Sequence, residues 1–343
     1  VLPVPGSLLE DDLLSTTPSG EEWLMLAAAS PWLIGTQIKM DVLKKEGYAT
    51  WRASRLRSLS DIQSVRIVFA ARLPEGGSEW QSGTVFVPMA RRERKQSLSW
   101  VIFAKGTEFR RDFTPSRGKG AELPFIMALA ALGYAVWVPD YSGMGDAQGV
   151  HEYCVAESLA DSALDGLTAA RQWLKKATTA RGRAYAESGR LALIGYSEGG
   201  LTVMGTLKAI ADERIPTPGL SLEAAYSMGA PLNLAIDVPL LRKAPFAINH
   251  PEYQVFIALG WARAYPGKFK LGDILSARTI DKIVPLANSR NEYDWIKKHS
   301  PSADMTFVRL GSKGHIVAGV EAFLFAIVDL DRREASLKAA KSP

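Results

Sequence analysis

The segment Gly195-Tyr196-Ser197-Glu198-Gly199-Gly200 follows the apolar run Leu191-Ala192-Leu193-Ile194 and precedes the helix-forming run Leu201-Thr202-Val203-Met204. A Gly-x-Ser-x-Gly string between a strand and a helix is a setting in which serine acts as a nucleophile. The sharp turn forces the serine into a strained backbone and leaves no room for neighbouring β-carbons, so both flanking positions require glycine. The hydroxyl then stands exposed at the positive end of the next helix. Bare strings of this kind occur in many Gly- and Ser-rich turns. The strand before it and the helix after it make Ser197 the candidate nucleophile.

A serine hydroxyl needs a general base, and the base needs a carboxylate that fixes its tautomer and stabilises the imidazolium. With a nucleophile of this type the chain order is Ser, acid, His. Three histidines follow Ser197: His250, His299 and His315. His315 ends Gly311-Ser312-Lys313-Gly314-His315, a loop between an expected strand, 305–310, and the last helix, expected from about Ala318, and it is favoured as base. His250 lies among prolines and aromatics, and His299 near the end of an exposed-looking helix. For the acid, Asp281 precedes His315 by 34 residues, enough for one strand-helix unit between adjacent loops. Asp273 and Asp237 remain alternatives. The earlier His151 reads as a structural hydrogen-bonding residue, and Cys154 as a buried thiol.

An acyl-transfer oxyanion needs two preorganised N–H donors, one from the residue after the nucleophile and one from a loop after an earlier strand. Those donors would be the backbone N–H groups of Glu198 and Thr107, the second within Ala104-Lys105-Gly106-Thr107-Glu108.

The elements that must carry these residues alternate. Residues 1–20, rich in Pro, Gly, Ser and Thr, read as an N-terminal arm, and 21–46 as helices interrupted near Pro31 and Gly35. Short strand-like runs follow at 65–70, 84–87 and 98–104. Helix, strand and long amphipathic helix are expected at 122–132, 134–138 and 157–176, then strand, helix and strand at 191–194, 199–211 and 222–227. Apolar strands alternating with helices imply an α/β fold, a mostly parallel central sheet with helices on both faces and ligand chemistry at the strands' carboxyl ends. Residues 235–272, with four prolines and several aromatics, interrupt the pattern as an inserted cap or lid. The expected organisation is thus arm and helices 1–47, first part of the core 48–234, cap 235–272 and second part of the core 273–343.

Composition sets outer limits. Of 343 residues 47% are apolar, enough for a sizeable core. A net charge of +5 is a small excess of 41 basic over 36 acidic residues and does not point to nucleic acid. A single cysteine excludes an intramolecular disulfide and any cysteine-cluster metal site, and the four scattered histidines lack zinc-ligand spacing, so no metal or organic cofactor is expected. Pro31 and Gly133 break the longest uncharged stretches, so neither reads as a membrane span. No basic region followed by an apolar one opens the sequence, so a secretory signal is absent or already removed. Nothing in the residues specifies an oligomeric state.

These motifs together resemble the secretory lipase (lipase-A-like) family of α/β-hydrolases, over most of residues 48–330. Beyond the elbow at Ser197, the likeness rests on Val138-Pro139-Asp140-Tyr141-Ser142-Gly143-Met144-Gly145-Asp146, on His151-Glu152-Tyr153, and on Asp281-Lys282-Ile283-Val284-Pro285. The resemblance implies an α/β-hydrolase fold, ester or lipid substrates, export to the periplasm or exterior, and Ser197, Asp281 and His315 as nucleophile, acid and base. Lys105 stands where the family often has histidine. The same triad would also suit an amide-cleaving peptidase, and a hydrolase-shaped binding protein without catalysis is a third reading.

Overall fold

A run of apolar residues can be continuous only if both faces of its strand are covered, and the central strands of this chain meet that condition. In the computed structural model, which describes residues 3–17, 51, 55, 59–89, 96–180, 185–232, 251–266, 268, 286–309 and 315–340, seven strands form one sheet. They are β1 (Leu8–Thr17), β2 (Ile62–Arg72), β3 (Ser78–Pro88), β4 (Gln96–Ala104), β5 (Ala135–Pro139), β6 (Tyr185–Tyr196) and β7 (Ser221–Met228), in the order β1-β2-β3-β5-β4-β6-β7. The sheet is mixed. Pairs β1/β2, β2/β3 and β3/β5 are antiparallel, while β5/β4, β4/β6 and β6/β7 are parallel.

Parallel neighbours require crossovers, and helices supply them. α1 (Leu123–Ala131) joins β4 to β5, α2 (Ala156–Ala180) joins β5 to β6, and α3 (Glu198–Ala211) joins β6 to β7. Three further helices follow: α4 (Pro251–Ala264), α5 (Leu286–His299) and α6 (His315–Ala340). Successive side chains of a strand point to opposite faces. Val101 and Phe103 of β4 therefore pack with Phe125 of α1 and Phe323 of α6, while Trp100 and Ile102 pack with Leu164 of α2 and Val203 of α3. Helices cover both faces, as the strand pattern implies.

The chain leaves β4 to form β5 on one side and, later, β6 on the other. That reversal makes a crevice at the carboxyl ends of β4 and β6, the place where open α/β sheets bind ligands. The loop after β4 holds Thr107, and the turn after β6 holds Ser197.

Three expectations are corrected. The N-terminal arm contains β1, paired antiparallel with β2. An edge strand need not alternate apolar residues, and here Glu10, Asp11 and Asp12 interact with Arg66 and Lys176 instead. Conversely, residues 305–309 carry no ladder among the described residues; Phe307 packs on Tyr293 of α5, ring centroids 5.5 Å apart. The last helix starts at His315 instead of near Ala318. The helices expected at 21–46 and the domain boundaries at 47/48, 234/235 and 272/273 lie outside the described residues.

Candidate active site

Ser197 occupies a left-handed backbone conformation, φ 58° and ψ −122°, one that L-residues other than glycine adopt rarely and at a cost of about 1–3 kcal/mol. Its surroundings impose it. The Ser197 N–H donates to the Met228 carbonyl of β7 at 2.8 Å, and its own carbonyl accepts from Gly200 N at 2.9 Å, opening α3. A β-carbon on Gly195 would stand 2.1 Å from the Gly199 carbonyl oxygen, and one on Gly199 2.0 Å from that of Ala104. The turn closes only because both positions lack side chains. Glu198 is the first residue of α3, so its N–H is among those a helix leaves without an internal acceptor.

The loop after β4 comes beside this turn because Ala104 pairs with Gly195. Its backbone is held by side chains from distant segments. The Glu122 carboxylate accepts from Gly106 N at 2.9 Å, the Lys105 carbonyl accepts from the Tyr141 hydroxyl at 3.0 Å, and the Thr107 hydroxyl lies 3.1 Å from that of Tyr153. Lys105 itself is 3% exposed. Its ammonium lies 4.5 Å from the centre of the Tyr141 ring, with no hydrogen-bond acceptor among the described residues. Lys105, Gly106, Thr107, Phe113, Glu122 and Ile126 border a small cavity of about 60 Å³.

Residues 140–151 reach both the loop and the turn. Asp140 accepts from the Ser82 hydroxyl at 2.6 Å and from Ser116 N at 3.4 Å; burial raises its pKa, and these bonds and the Lys105 charge oppose the rise. His151 sits between the Ser142 carbonyl, 3.0 Å from Nδ1, and the Glu198 carboxylate, 2.8 Å from Nε2. It is a buried hydrogen-bonding residue, as its sequence position suggests. Cys154 is buried, as its sequence position suggests.

One wall is aromatic. Phe109, two residues after Thr107, stacks on Phe256 of α4 at 4.1 Å and meets Tyr153 and Tyr253 edge-on at 5.4 and 5.1 Å. Arg263 anchors α4 to the core: it pairs with Glu79 at 2.6 Å and Glu152 at 3.1 Å, and donates to the Val150 carbonyl. Burial lifts the Glu152 carboxyl to about 7.

Of the sequence-derived site residues, Ser197, Glu198 and Thr107 come together at the ends of β4 and β6. Asp281, its alternatives Asp273 and Asp237, and His250 lie outside the described residues, as does the side chain of His315. The helix that His315 opens is nonetheless anchored beside the nucleophile. A β-carbon on Gly319, one turn further on, would stand 3.0 Å from the ring of Tyr196, and Phe323 packs 5.9 Å from the same ring. His299 is exposed and stacked on Trp295 at 4.2 Å. Sequence reasoning missed Glu122 as the holder of Gly106, and the side chain of Glu198. A charged residue inside an otherwise buried turn was the available signal for Glu198; Glu122 gave none. Among the described residues no three His, Cys, Asp or Glu gather as a metal site, and no helix is long and apolar enough to cross a membrane.

The chain superposes on solved structures over most of its length. A candidate hydrolase of Legionella pneumophila superposes with a TM-score of 0.69 at 19% identity, covering 95% of this chain and 97% of that one. The fold is that of the α/β-hydrolases. The rice cell wall degrading esterase LipA of Xanthomonas oryzae superposes with a TM-score of 0.57 at 17% identity, over 95% of this chain and 76% of that one. Residues 108–235 match the secretory lipase family model. That segment starts immediately after Thr107 and includes the elbow. Among curated proteins none matches the sequence.

Proposed function

We propose that the protein hydrolyses carboxylic esters through an acyl-enzyme on Ser197. The observation that carries this reading is the strained Ser197 backbone at a strand-to-helix turn, open to the crevice where the strand order reverses. Ser197 Oγ attacks the ester carbonyl while His315 takes its proton, and Asp281 orients the imidazole. The N–H groups of Glu198 and Thr107 receive the oxyanion. As the tetrahedral intermediate collapses, the acyl–alkoxy bond breaks and the proton passes from His315 to the leaving alcohol. Water repeats the sequence, with His315 as base, and frees the acid and Ser197.

Residues 235–272, which include α4, form the cap over the acyl pocket. The apolar wall of Phe109, Tyr253 and Phe256 suits short and medium acyl chains. The family match favours an exported protein. Turnover of p-nitrophenyl esters of graded chain length tests the proposal: Ser197→Ala should abolish it, and a fluorophosphonate should label Ser197. Equal activity in that variant removes the mechanism, and preferential turnover of aminoacyl anilides would make the enzyme an amidase.

A further inference from the structure

Two hydrogen-bond donors that bind one oxyanion must keep a fixed separation, because each has to lie about 2.7–3.1 Å from the same atom. The two N–H groups read here as those donors belong to different elements, Thr107 to the loop after β4 and Glu198 to the start of α3. Beneath them, Tyr141 and His151 lie parallel, with ring planes 3° apart and centroids 5.8 Å apart. Tyr141 is tied to both sides, and His151 to the side of Glu198. The Tyr141 hydroxyl donates to the Lys105 carbonyl at 3.0 Å, two residues before Thr107, and accepts from Thr202 Oγ1 of α3 at 3.2 Å. The His151 Nε2 meets the Glu198 carboxylate at 2.8 Å.

We propose that the stacked Tyr141–His151 pair is a positioning unit that sets the distance between the oxyanion donors Thr107 and Glu198. This rests on the reading of Ser197 as nucleophile and gives the Glu198 side chain a task separate from that of its backbone.

The protonation pattern follows from the acceptors. His151 Nδ1 faces a carbonyl oxygen, which can only accept, so Nδ1 carries a proton. Nε2 and the Glu198 carboxyl then share one more proton, and the His151–Glu198 pair holds two protons and no net charge in either arrangement. With 2% and 0% exposure respectively, both groups are out of reach of water, and the second Glu198 oxygen has no partner among the described residues. Burial raises the Tyr141 phenol well above its ordinary range, so its hydroxyl stays a donor. Tyr141 also holds φ at 80°, a strained conformation that surrounding contacts must enforce.

A positioning role separates kcat from KM, since a displaced oxyanion donor weakens the transition state more than the bound ester. Tyr141→Phe keeps the ring and loses the tie to Lys105; Glu198→Ala loses the tie to His151. Each should lower kcat for a p-nitrophenyl ester by about 10- to 100-fold, with KM within about threefold of wild type. Glu198→Gln should stay within about threefold of wild-type kcat, because a neutral His151 with its proton on Nδ1 can accept from the Gln amide. Nitrogen-15 spectra of the four histidines should give His151 a proton on Nδ1 in wild type and in Glu198→Gln.

Folded Tyr141→Phe with unchanged kcat, Glu198→Gln as damaging as Glu198→Ala, or a His151 Nδ1 without a proton overturns the proposal. Should Glu198→Ala fail to fold, Tyr141→Phe and Glu198→Gln decide alone. Fluorophosphonate labelling of wild type separates the two levels of failure. Labelled Ser197 with unaffected variants refutes this unit alone, whereas wild type that resists labelling refutes the serine mechanism and the unit with it.

Discussion

Replacing Gly199 by alanine adds one methyl group at the tightest point of the molecule that bears on the site. Its β-carbon would stand 2.0 Å from the Ala104 carbonyl oxygen and 2.8 Å from both the Ala104 carbonyl carbon and the Lys105 oxygen. An ordinary carbon-to-carbonyl-oxygen contact is about 3.3 Å or more, so β4 and α3 must separate by about 1.3 Å. All three atoms are backbone, and no side-chain rotation relieves the contact. Overpacking of this kind costs roughly 1–3 kcal/mol or more, and a value near 3 kcal/mol is expected because the strand itself has to move. The same shift separates Glu198 from Thr107, and a misplacement of about 1 Å can cost about 10²-fold in rate. Urea midpoints and p-nitrophenyl ester kcat measure the two effects. Gly118→Ala is the control: its φ is +67° and no atom lies within 4 Å of the added carbon, so it should cost only about 1 kcal/mol and leave kcat unchanged. A Gly199→Ala protein with wild-type midpoint and kcat would refute the packing argument.

Strain at Ser197 gives a second prediction. Ser197→Gly and Ser197→Ala should both be inactive, but the glycine variant should be more stable by about 1 kcal/mol, since it alone adopts φ 58° freely; equal melting temperatures would argue against strain. Stability should also depend on pH through Glu152, whose folded pKa of about 7 exceeds its ordinary 4.5 because burial disfavours the charge. The folded state then holds the proton more tightly than the unfolded state. This contribution is complete below pH 4.5 and is lost as pH rises through 7, by at most about 3 kcal/mol. Glu152→Gln should flatten that part of the profile in denaturant titrations at several pH values; an unaltered slope would contradict the assignment. Asp161, also raised to about 7 by burial, should leave a residual slope of the same sign.

The elbow at Ser197 was legible from the amino acids because its requirements are local: two glycines, a preceding apolar run and a following helix, all within about a dozen positions. The alternation from β4 to β6 was legible for a related reason, since strands covered on both faces must be apolar where they are buried, whatever the helices are that cover them. β1 escaped because an edge strand is held by its ladder and by acid-base contacts to Arg66 and Lys176, neither of which imprints an apolar period. Stretch 305–309 erred the other way: its Met305, Phe307 and Val308 read as a strand, yet no neighbouring backbone forms a ladder with them among the described residues. The supports of the crevice, Glu122 with Gly106, Tyr141 with Lys105 and His151 with Glu198, join residues 16, 36 and 47 positions apart. Local propensity acts over a few residues and can mark where a turn must bend; which buried side chain reaches its backbone from another segment depends on how the layers pack, and that is a property of the folded chain.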